Sequence, residues 1–394
     1  MKLHTVAAAA LALATLTTAP LAVHAQAASP AAATAAATPQ NVARHYAALV
    51  YANYSDTLAA AQDMQAVIAA FLKAPSAEGL DKARKAWLDA REFYGQTEAF
   101  RFYGGPIDDE NGPEGQINAW PLDEAYVDYV EGKPGAGMVN DPKVKITKAA
   151  LIEANERGGE ENISAGWHAI EFLLWGQDQS ETGPGNRSYE DYVAGKGENA
   201  ERRAQYLTVA TQLLVDDLGT LVKAWKPQAK NFRAQFEKGG KESVRKIIVG
   251  LGSLSRGELS GERMEVALNS QDQEDEHSCF SDNTHRDVVS NATGIQNVWL
   301  GQYKQRDGHT LTGPSLRDLV ATRDAALADK TSAQIAASVK GAESIPAPFD
   351  RAIVAGSAGR PAIENTVASL VEQSKLLVQS ANAVGITRLT LVEP

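Results

Sequence analysis

Apolar residues recur every three or four positions along most of the chain, which is the spacing of one face of an α-helix. The longest run covers residues 41–73, and Pro75 and Ser76 end it before a second helix at 77–103. Further helical patterns occupy residues 121–131, 143–156, 161–176, 199–227, 241–268, 287–304, 315–328 and 361–384. Strand-like alternation is nearly absent. The pattern predicts an all-α protein built from helical bundles.

Two segments rich in glycine and polar residues interrupt the helices. Residues 104–120 predict a long loop, and loops of that length in compact domains are often functional. Residues 178–198 predict the connection between an N-terminal bundle, residues 41–190, and a C-terminal bundle, residues 191–394. A weak repeat relates the segments that begin at Ile170 and Ile295, which share Ile, Gly and Gln at matching positions. We therefore expect two helical-bundle domains related by duplication.

The N-terminal residues 1–25 have the pattern of a secretory signal peptide. Lys2 is their only charge, an apolar run extends from Val6 to Leu16, and the segment ends in a small-x-small cleavage site at Ala25. That run is too short to cross a membrane, as is every later apolar segment. The cleavage site has no cysteine near it, so lipidation is not expected. Residues 26–40 carry no charge and no large apolar side chain, which predicts a disordered, Ala-rich linker. We expect an exported, periplasmic protein.

Charge and cysteine content narrow the possible partners. The chain has a formal net charge of −11, so nucleic acid and anionic lipid are not expected partners. Its one cysteine, Cys279, excludes an internal disulfide.

His168 and Glu171 are the only ionisable residues in a segment, 162–177, that is otherwise apolar on nearly all sides. They are three residues apart and so share one helix face. Burying a carboxylate without a partner is costly, so the pair predicts a neutralising cation, a hydrogen-bond network or a metal ion. Helical bundles hold iron-type metals with Glu/His pairs at this spacing, and such ligands suit iron, manganese or zinc. The alternative is structural: Arg91 neutralises Glu98 or Glu171, and His168 is a hydrogen-bonded core histidine.

Ionisable residues also lie on apolar stripes elsewhere. The stripe of the second helix contains Trp87, Arg91, Tyr94, Glu98 and Arg101. In the helix predicted at 241–268, Glu258 and Glu262 take similar positions, among glycines that would let another helix approach closely. The acidic loop 271–287 adds His277 and His285. The candidates for a second metal site are Glu258, Glu262, His277 and His285.

Motifs of several enzyme classes are missing from the sequence. The chain has no His-Glu-x-x-His pair and no Gly-x-Ser-x-Gly elbow. Cys279 lies near His277, but a lone cysteine of this kind is more often a buried thiol than a nucleophile. Because no complete catalytic constellation is present, we do not predict an enzyme.

The segment Gly166-Trp-His168-Ala-Ile-Glu171 matches the Gly-x-His-x-x-Glu motif of the imelysin family, also called the insulin-cleaving membrane protease-like or M75 family. Other segments that resemble this family are 87–94 and 98–108. Two segments are similar to the subgroup named for iron-regulated protein A: residues 117–126 and His277-Ser-Cys-Phe-Ser-Asp-Asn-Thr-His285. The resemblance covers nearly all of residues 41–390.

The resemblance implies two helical-bundle domains, a bacterial envelope location and a link to iron uptake. It implies that Gly166, His168 and Glu171 take the motif positions, and that Glu98 and Asp108 are further candidate metal ligands. Residues expected to support the site are Gly166, Arg91, Trp87 and Tyr94. Iron as the metal rests on the family alone.

The leading hypothesis is a periplasmic metal-binding protein, with iron as its metal, that acts in iron acquisition or sensing. Its expected partners are the metal ion or a chelate and other envelope iron-uptake proteins. One alternative is a metallopeptidase that uses the same site, with Glu171 or Glu98 as general base. The other is a non-catalytic module that binds a peptide or glycan between its domains.

Overall fold

The chain folds almost entirely into helices in a computed structural model that describes residues 36–180 and 182–392. The predicted signal peptide and most of the predicted linker lie outside these residues. The α-helices of the first half are α1 (Pro39–Lys73), α2 (Ala77–Thr97), α3 (Glu114–Ile117), α4 (Glu124–Val127), α5 (Gly137–Asn140), α6 (Lys148–Ala154), α7 (Gly166–Trp175) and α8 (Ala200–Trp225). This composition confirms the predicted all-α class.

The second half continues in the same way and adds one small hairpin. Its α-helices are α9 (Phe232–Phe236), α10 (Lys241–Ser253), α11 (Val266–Ser270), α12 (Thr284–Leu300), α13 (Leu316–Ala321), α14 (Ala325–Glu343), α15 (Phe349–Ile353) and α16 (Arg360–Ala383). Strands β1 (Gln302–Lys304) and β2 (Thr310–Thr312) pair antiparallel. Shorter 3₁₀ turns cover Glu98–Phe100, Tyr189–Tyr192 and Gln273–Asp275, and a π-helix covers Leu254–Glu265. No helix of the described ranges is long and apolar enough to cross a membrane.

The long helices pack around one continuous apolar core. Helix α1 lies against α2 and α8, while α14 lies against α12 and α16. Contact between α2 and α12 joins these two groups of helices. Four tryptophans are fully buried in the described core: Trp87, Trp167, Trp225 and Trp299. The duplication and the domain boundary near residue 190 stay predictions.

Side-chain caps fix where the first two helices begin. The Thr38 side chain accepts a hydrogen bond from the Asn41 backbone N–H, so α1 begins at Pro39, inside the predicted linker. The Ser76 side chain accepts from the Gly79 N–H and begins α2, as the sequence indicates.

Helix α2 ends earlier than its apolar pattern predicts. It tightens into a 3₁₀ turn over Glu98–Phe100, and the chain becomes extended at Arg101. This turn directs the chain into the predicted loop 104–120, which contains α3. The stripe residues Glu98 and Arg101 therefore stand on a helix terminus rather than on a regular helix.

The predicted helix 241–268 is continuous, but it widens into the π-helix after Ser253. The sequence predicted that its glycines let another helix approach closely. The segments that approach Gly250 and Gly257 are not helical. A Cβ on Gly250 would lie 2.8 Å from the Arg101 carbonyl oxygen, and one on Gly257 would lie 2.7 Å from that of Val392. The neighbours are thus extended backbone segments.

Candidate functional site

Helix α7 begins at the motif glycine, where no other residue fits. Gly166 has φ = +83°, and a Cβ there would lie 2.4 Å from the backbone oxygen of Ile117. This close approach holds the start of α7 against the end of the loop 104–120. All ten residues of α7 are buried, so the ionisable side chains of the motif lie in the core.

The two ionisable residues of α7 contact each other directly. His168 Nδ1 lies 2.8 Å from Glu171 Oε2, and Glu171 Oε1 accepts hydrogen bonds from the backbone N–H and hydroxyl of Ser281, at 2.9 and 2.7 Å. Both oxygens of Glu171 are therefore engaged by protein groups. The contact with Glu171 fixes the orientation of the His168 ring, and Glu171 as a metal ligand stays a prediction.

His168 keeps one ring nitrogen without a partner. The residue is only 2% exposed, and its Nε2 has no hydrogen-bond partner among the described residues. Burial, reinforced by Arg91, lowers the pKa of His168 well below its usual value, and burial raises the pKa of Glu171 to about 8. Both shifts favour the uncharged forms, because desolvation disfavours charge. A neutral Glu171 that donates to Nδ1 leaves the ring hydrogen on Nε2, whereas an ionised Glu171 accepts from Nδ1–H and leaves the Nε2 lone pair free. A metal ion at Nε2 therefore requires the ionised form of Glu171.

A second imidazole is built in the same way beside the first. His277 Nδ1 lies 2.7 Å from Asp287 Oδ2, and its ring centroid lies 4.8 Å from that of His168. Burial lowers the pKa of His277 well below its usual value, so the ring is neutral and donates Nδ1–H to the carboxylate. Its Nε2 lies 3.4 Å from Asn118 Nδ2, which donates to it. We call His168 and His277 the imidazole pair.

Arg91 neutralises the carboxylate behind the second imidazole. Its guanidinium donates to Asp287 Oδ2 at 2.8 Å and to Asn118 Oδ1 at 2.7 Å. Burial alone would raise the pKa of Asp287, but Arg91 and His277 hold it well below its usual value. The guanidinium also lies over the rings of Trp87 and Tyr94, at 5.4 and 5.3 Å. These two aromatic residues thus contact the guanidinium that pairs with Asp287, and their supporting role at a metal site stays a prediction.

A third buried group contains two glutamates and two arginines. Glu98 Oε2 accepts from Arg101 and Arg263, each at 2.7 Å, and Glu258 Oε1 accepts from Arg263 at 2.8 Å. Burial opposes ionisation of Glu98, but these two arginines lower its pKa to about 2. Its other oxygen, Oε1, is buried without a partner among the described residues. The charge of Glu98 opposes the lowering of the His168 pKa.

The other predicted site residues lie in different surroundings. Asp108 accepts hydrogen bonds from the backbone N–H groups of Phe102 and Gly105, so it braces the loop. Glu262 is exposed on the π-helix. His285 is half-buried, and its Nδ1 contacts the Asp282 backbone oxygen at 3.1 Å. Among residues 36–180 and 182–392, no three His, Cys, Asp or Glu side chains stand together as metal ligands.

Four residues of the site were not singled out from the sequence: Asp287, Asn118, Ser281 and Arg263. A partial signal existed for one of them, since Asp287 lies in the first turn of α12 and ends the polar segment 271–287. The others are ordinary polar residues whose role comes only from long-range packing.

Comparison with known proteins places the chain in a family. The profile of the imelysin family (Peptidase_M75) matches residues 50–377, and the chain belongs to that family. A Synechococcus elongatus protein named iron-regulated protein A is 26% identical over 305 residues, covering 77% of this chain and 74% of that protein.

A solved structure shares the fold. The crystal structure of a Parabacteroides distasonis protein described as an iron-regulated protein A precursor superposes with a TM-score of 0.66, covering 89% of this chain and 98% of that chain. At 17% sequence identity, this likeness shows the fold alone.

Proposed function

We propose that this imelysin-family protein is an exported, periplasmic metal-binding protein, with iron as its metal, that acts in iron acquisition or sensing. The observation that carries the proposal is that His168 Nε2 is buried without a hydrogen-bond partner among the described residues. An imidazole nitrogen that is buried without a hydrogen-bond partner loses its hydration without compensation, which costs free energy. A metal ion bound at that nitrogen would supply the missing partner.

The arrangement around the imidazole pair suits that role. Metal-binding histidines usually donate their second ring N–H to a carboxylate, which fixes the ring and its tautomer. His168 is placed against Glu171 in this way, and His277 against Asp287. The ion would bind Nε2 of His168 and, in place of the Asn118 Nδ2 contact, Nε2 of His277. Glu98 Oε1, which is buried without a partner among the described residues, would have to move toward the ion to become a third ligand. Imidazole and carboxylate donors together suit iron, manganese or zinc.

Charge balance around the pair also supports the proposal. Arg91 is matched by Asp287 and Arg263 by Glu98, so neither is an uncompensated positive charge against a cation. A bound iron would supply reversible ligand exchange, as uptake and sensing require. The choice of iron is supported by the name of the cyanobacterial relative, iron-regulated protein A.

Elemental analysis after iron loading and desalting tests the site. We expect about one iron per chain in the mature protein, because an ion held by a built site survives desalting. The His168→Ala variant should retain none, while His309→Ala, which changes an exposed hairpin histidine, should retain the wild-type amount. Absence of retained iron in the wild-type protein, or equal iron in His168→Ala, would overturn the proposal. Peptide hydrolysis abolished by both a chelator and His168→Ala would assign a metallopeptidase instead.

The export proposal has its own test. Expression of the full chain in a Gram-negative host should release the protein in the osmotic-shock fraction, with Gln26 as its N-terminal residue. Retention in the cytoplasm with residues 1–25 intact would contradict export without bearing on the metal site.

A further inference from the structure

An open cleft of about 640 Å³ lies on the far side of two residues that contact His277, and neither histidine of the imidazole pair lines it. Asn118 and Trp120 both line it and both contact His277. Asn118 Nδ2 lies 3.4 Å from His277 Nε2, and the Trp120 ring centroid lies 5.1 Å from that of His277. The cleft is therefore separated from the second imidazole by the thickness of these side chains.

Carboxylates dominate the lining of this cleft. The acidic lining residues are Glu114, Glu156, Glu160, Glu258, Glu262 and Asp275. Arg101 is the one basic residue among the described lining residues. Its guanidinium is already paired with Glu98 at 2.7 Å and with Glu114 at 3.0 Å. No positive charge is thus left over to bind an anion.

The rim and the interior of the cleft differ in exposure. Glu156, Glu160 and Glu262 are exposed and face solvent at the entrance. Like charges around a concave surface focus the electric field, which concentrates counter-ions and repels ions of the same sign. The acidic cleft therefore attracts cations toward the imidazole pair and repels anions.

An acidic lining alone would only indicate a solvated surface. A separate observation concerns His168, which is 98% buried and whose Nε2 has no hydrogen-bond partner among the described residues. Its ring centroid lies 4.8 Å from that of His277, which the cleft residues Asn118 and Trp120 contact. A neutral imidazole with a free nitrogen is a ligand for a metal cation.

We propose that the acidic cleft is the entrance to the imidazole pair and that it admits iron as a hydrated cation, and excludes anionic ferric chelates. The inference rests on the proposed function and specifies its substrate class. It separates free metal cations from citrate-like or other polyanionic complexes by charge.

Neutralising the rim tests the entrance. The variant Glu156→Gln/Glu160→Gln/Glu262→Gln removes three exposed charges and leaves the imidazole pair unchanged. Its matched control is Glu78→Gln/Glu201→Gln/Glu364→Gln, which neutralises three exposed helical glutamates outside the cleft. Association of Mn²⁺, and of Fe²⁺ without oxygen, would be followed by the fluorescence of the tryptophans around the site. Ferric citrate would be the anionic probe.

We expect the rim variant to bind Mn²⁺ and Fe²⁺ about tenfold more slowly than wild type at low ionic strength, while the control retains the wild-type rate. The difference should vanish near 1 M salt, where the screening length falls to about 3 Å. Ferric citrate should not bind the wild-type protein detectably under the same conditions.

Two results would overturn the inference while leaving the metal site intact: equal binding of ferric citrate and Fe²⁺, or equal rates in wild type and rim variant. The salt dependence of the wild-type rate provides the same test if the variant does not fold, since a salt-independent rate excludes steering. Failure of the wild-type protein to bind any metal would overturn the proposed function and the entrance together.

Discussion

At the scale of single residues, the site depends on how each buried charge is partnered. Helical spacing showed that Arg91 faces inward, and left open whether it neutralises Glu98 or Glu171. In the structure it pairs with Asp287, and Glu98 pairs with Arg101 and Arg263. Spacing along one helix identifies which side chains enter the core, but it carries no information about the residue from a distant segment that meets them.

Glu171 offers the first residue-scale prediction. We expect Glu171→Ala to weaken iron affinity about 10- to 100-fold, because His168 Nδ1 loses the acceptor that fixes its ring. Competition with a chelator of known affinity would measure the change. Ser281→Ala, which removes a hydroxyl contact to Glu171 but keeps the backbone N–H, should have a smaller effect. Complete loss in Glu171→Ala, equal to that of His168→Ala, would make Glu171 a metal ligand instead.

A buried ion pair away from the site sets a pH-dependent prediction. Asp128 is fully buried and accepts from Arg187 at 2.9 Å and from Arg203 at 2.6 Å. Burial opposes its ionisation, but the two guanidinium groups lower its pKa below the usual value. A carboxyl whose pKa is lower in the folded state stabilises the fold above its unfolded pKa, about 3.9, and loses that contribution as the pH falls further.

We therefore expect Asp128→Asn to lower the free energy of unfolding by about 3–5 kcal/mol at pH 7, since it removes the negative charge that neutralises two buried arginines. The difference from wild type should shrink below about pH 4. Urea denaturation at pH 7 and pH 3 would measure it. Asp81→Asn removes an exposed partner of Arg84 and should cost less than about 1 kcal/mol at either pH. An equal loss for Asp128→Asn at both pH values would show that its charge is not responsible.

At the scale of helices, hydrophobic periodicity predicted the long elements and missed what depends on tertiary contact. Helices α1, α2 and α8 were found from their apolar stripes, but α14 continues well past the predicted end at residue 328. Its sequence is rich in Ala, Ser and Lys, so its buried face is made of small residues that give a weak pattern. The β1–β2 hairpin is too short to show alternation, and the π-helix has a different period from the one assumed.

The site was predictable to the same extent. The His168–Glu171 contact lies within one turn of α7, so its spacing alone identified it. His277 was proposed only for a second site, because its approach to His168 depends on how the segment before α12 folds back onto α7. Asn118 and Ser281 enter the site from loops that no periodicity describes.

Close packing of α2 against α12 leads to an element-scale prediction. A Cβ on Gly294 would lie 2.3 Å from the Gln96 carbonyl oxygen, so the two helices would have to separate. We expect Gly294→Ala to lower the free energy of unfolding by about 1–3 kcal/mol, the usual cost of overpacking. It should also weaken iron binding, because α12 carries Asp287, which holds His277. Urea denaturation and chelator competition would measure both effects.

The control for this substitution is Gly219→Ala on α8, where a Cβ meets nothing within 4 Å. Alanine favours helix over glycine by about 1 kcal/mol, so this variant should be as stable as wild type or more stable. If Gly294→Ala behaved like Gly219→Ala, the α2–α12 contact would not be the constraint that holds the site.

At the scale of the whole molecule, the imidazole pair connects parts of the chain that are far apart in sequence. Helix α7 supplies His168, the segment before α12 supplies His277, and α2 supplies Arg91, which holds Asp287. Several helices must therefore be correctly packed before the pair exists. A ligand that binds only this packed arrangement stabilises the folded protein as a whole.

Thermal unfolding should report that linkage. At a free metal concentration about 100 times the dissociation constant, binding adds about 2.7 kcal/mol to the free energy of unfolding, so Tm should rise with metal concentration. His168→Ala should lose the rise because it removes the free nitrogen, whereas His309→Ala should keep it. The metal-free His168→Ala protein distinguishes the two interpretations of His168, as a metal ligand or as a structural core histidine. If its Tm falls but the metal-dependent rise persists, the histidine is a structural core residue and the metal binds elsewhere. If the rise disappears while the metal-free protein still unfolds cooperatively, His168 Nε2 is a metal ligand, and metal binding at this atom stabilises the folded protein.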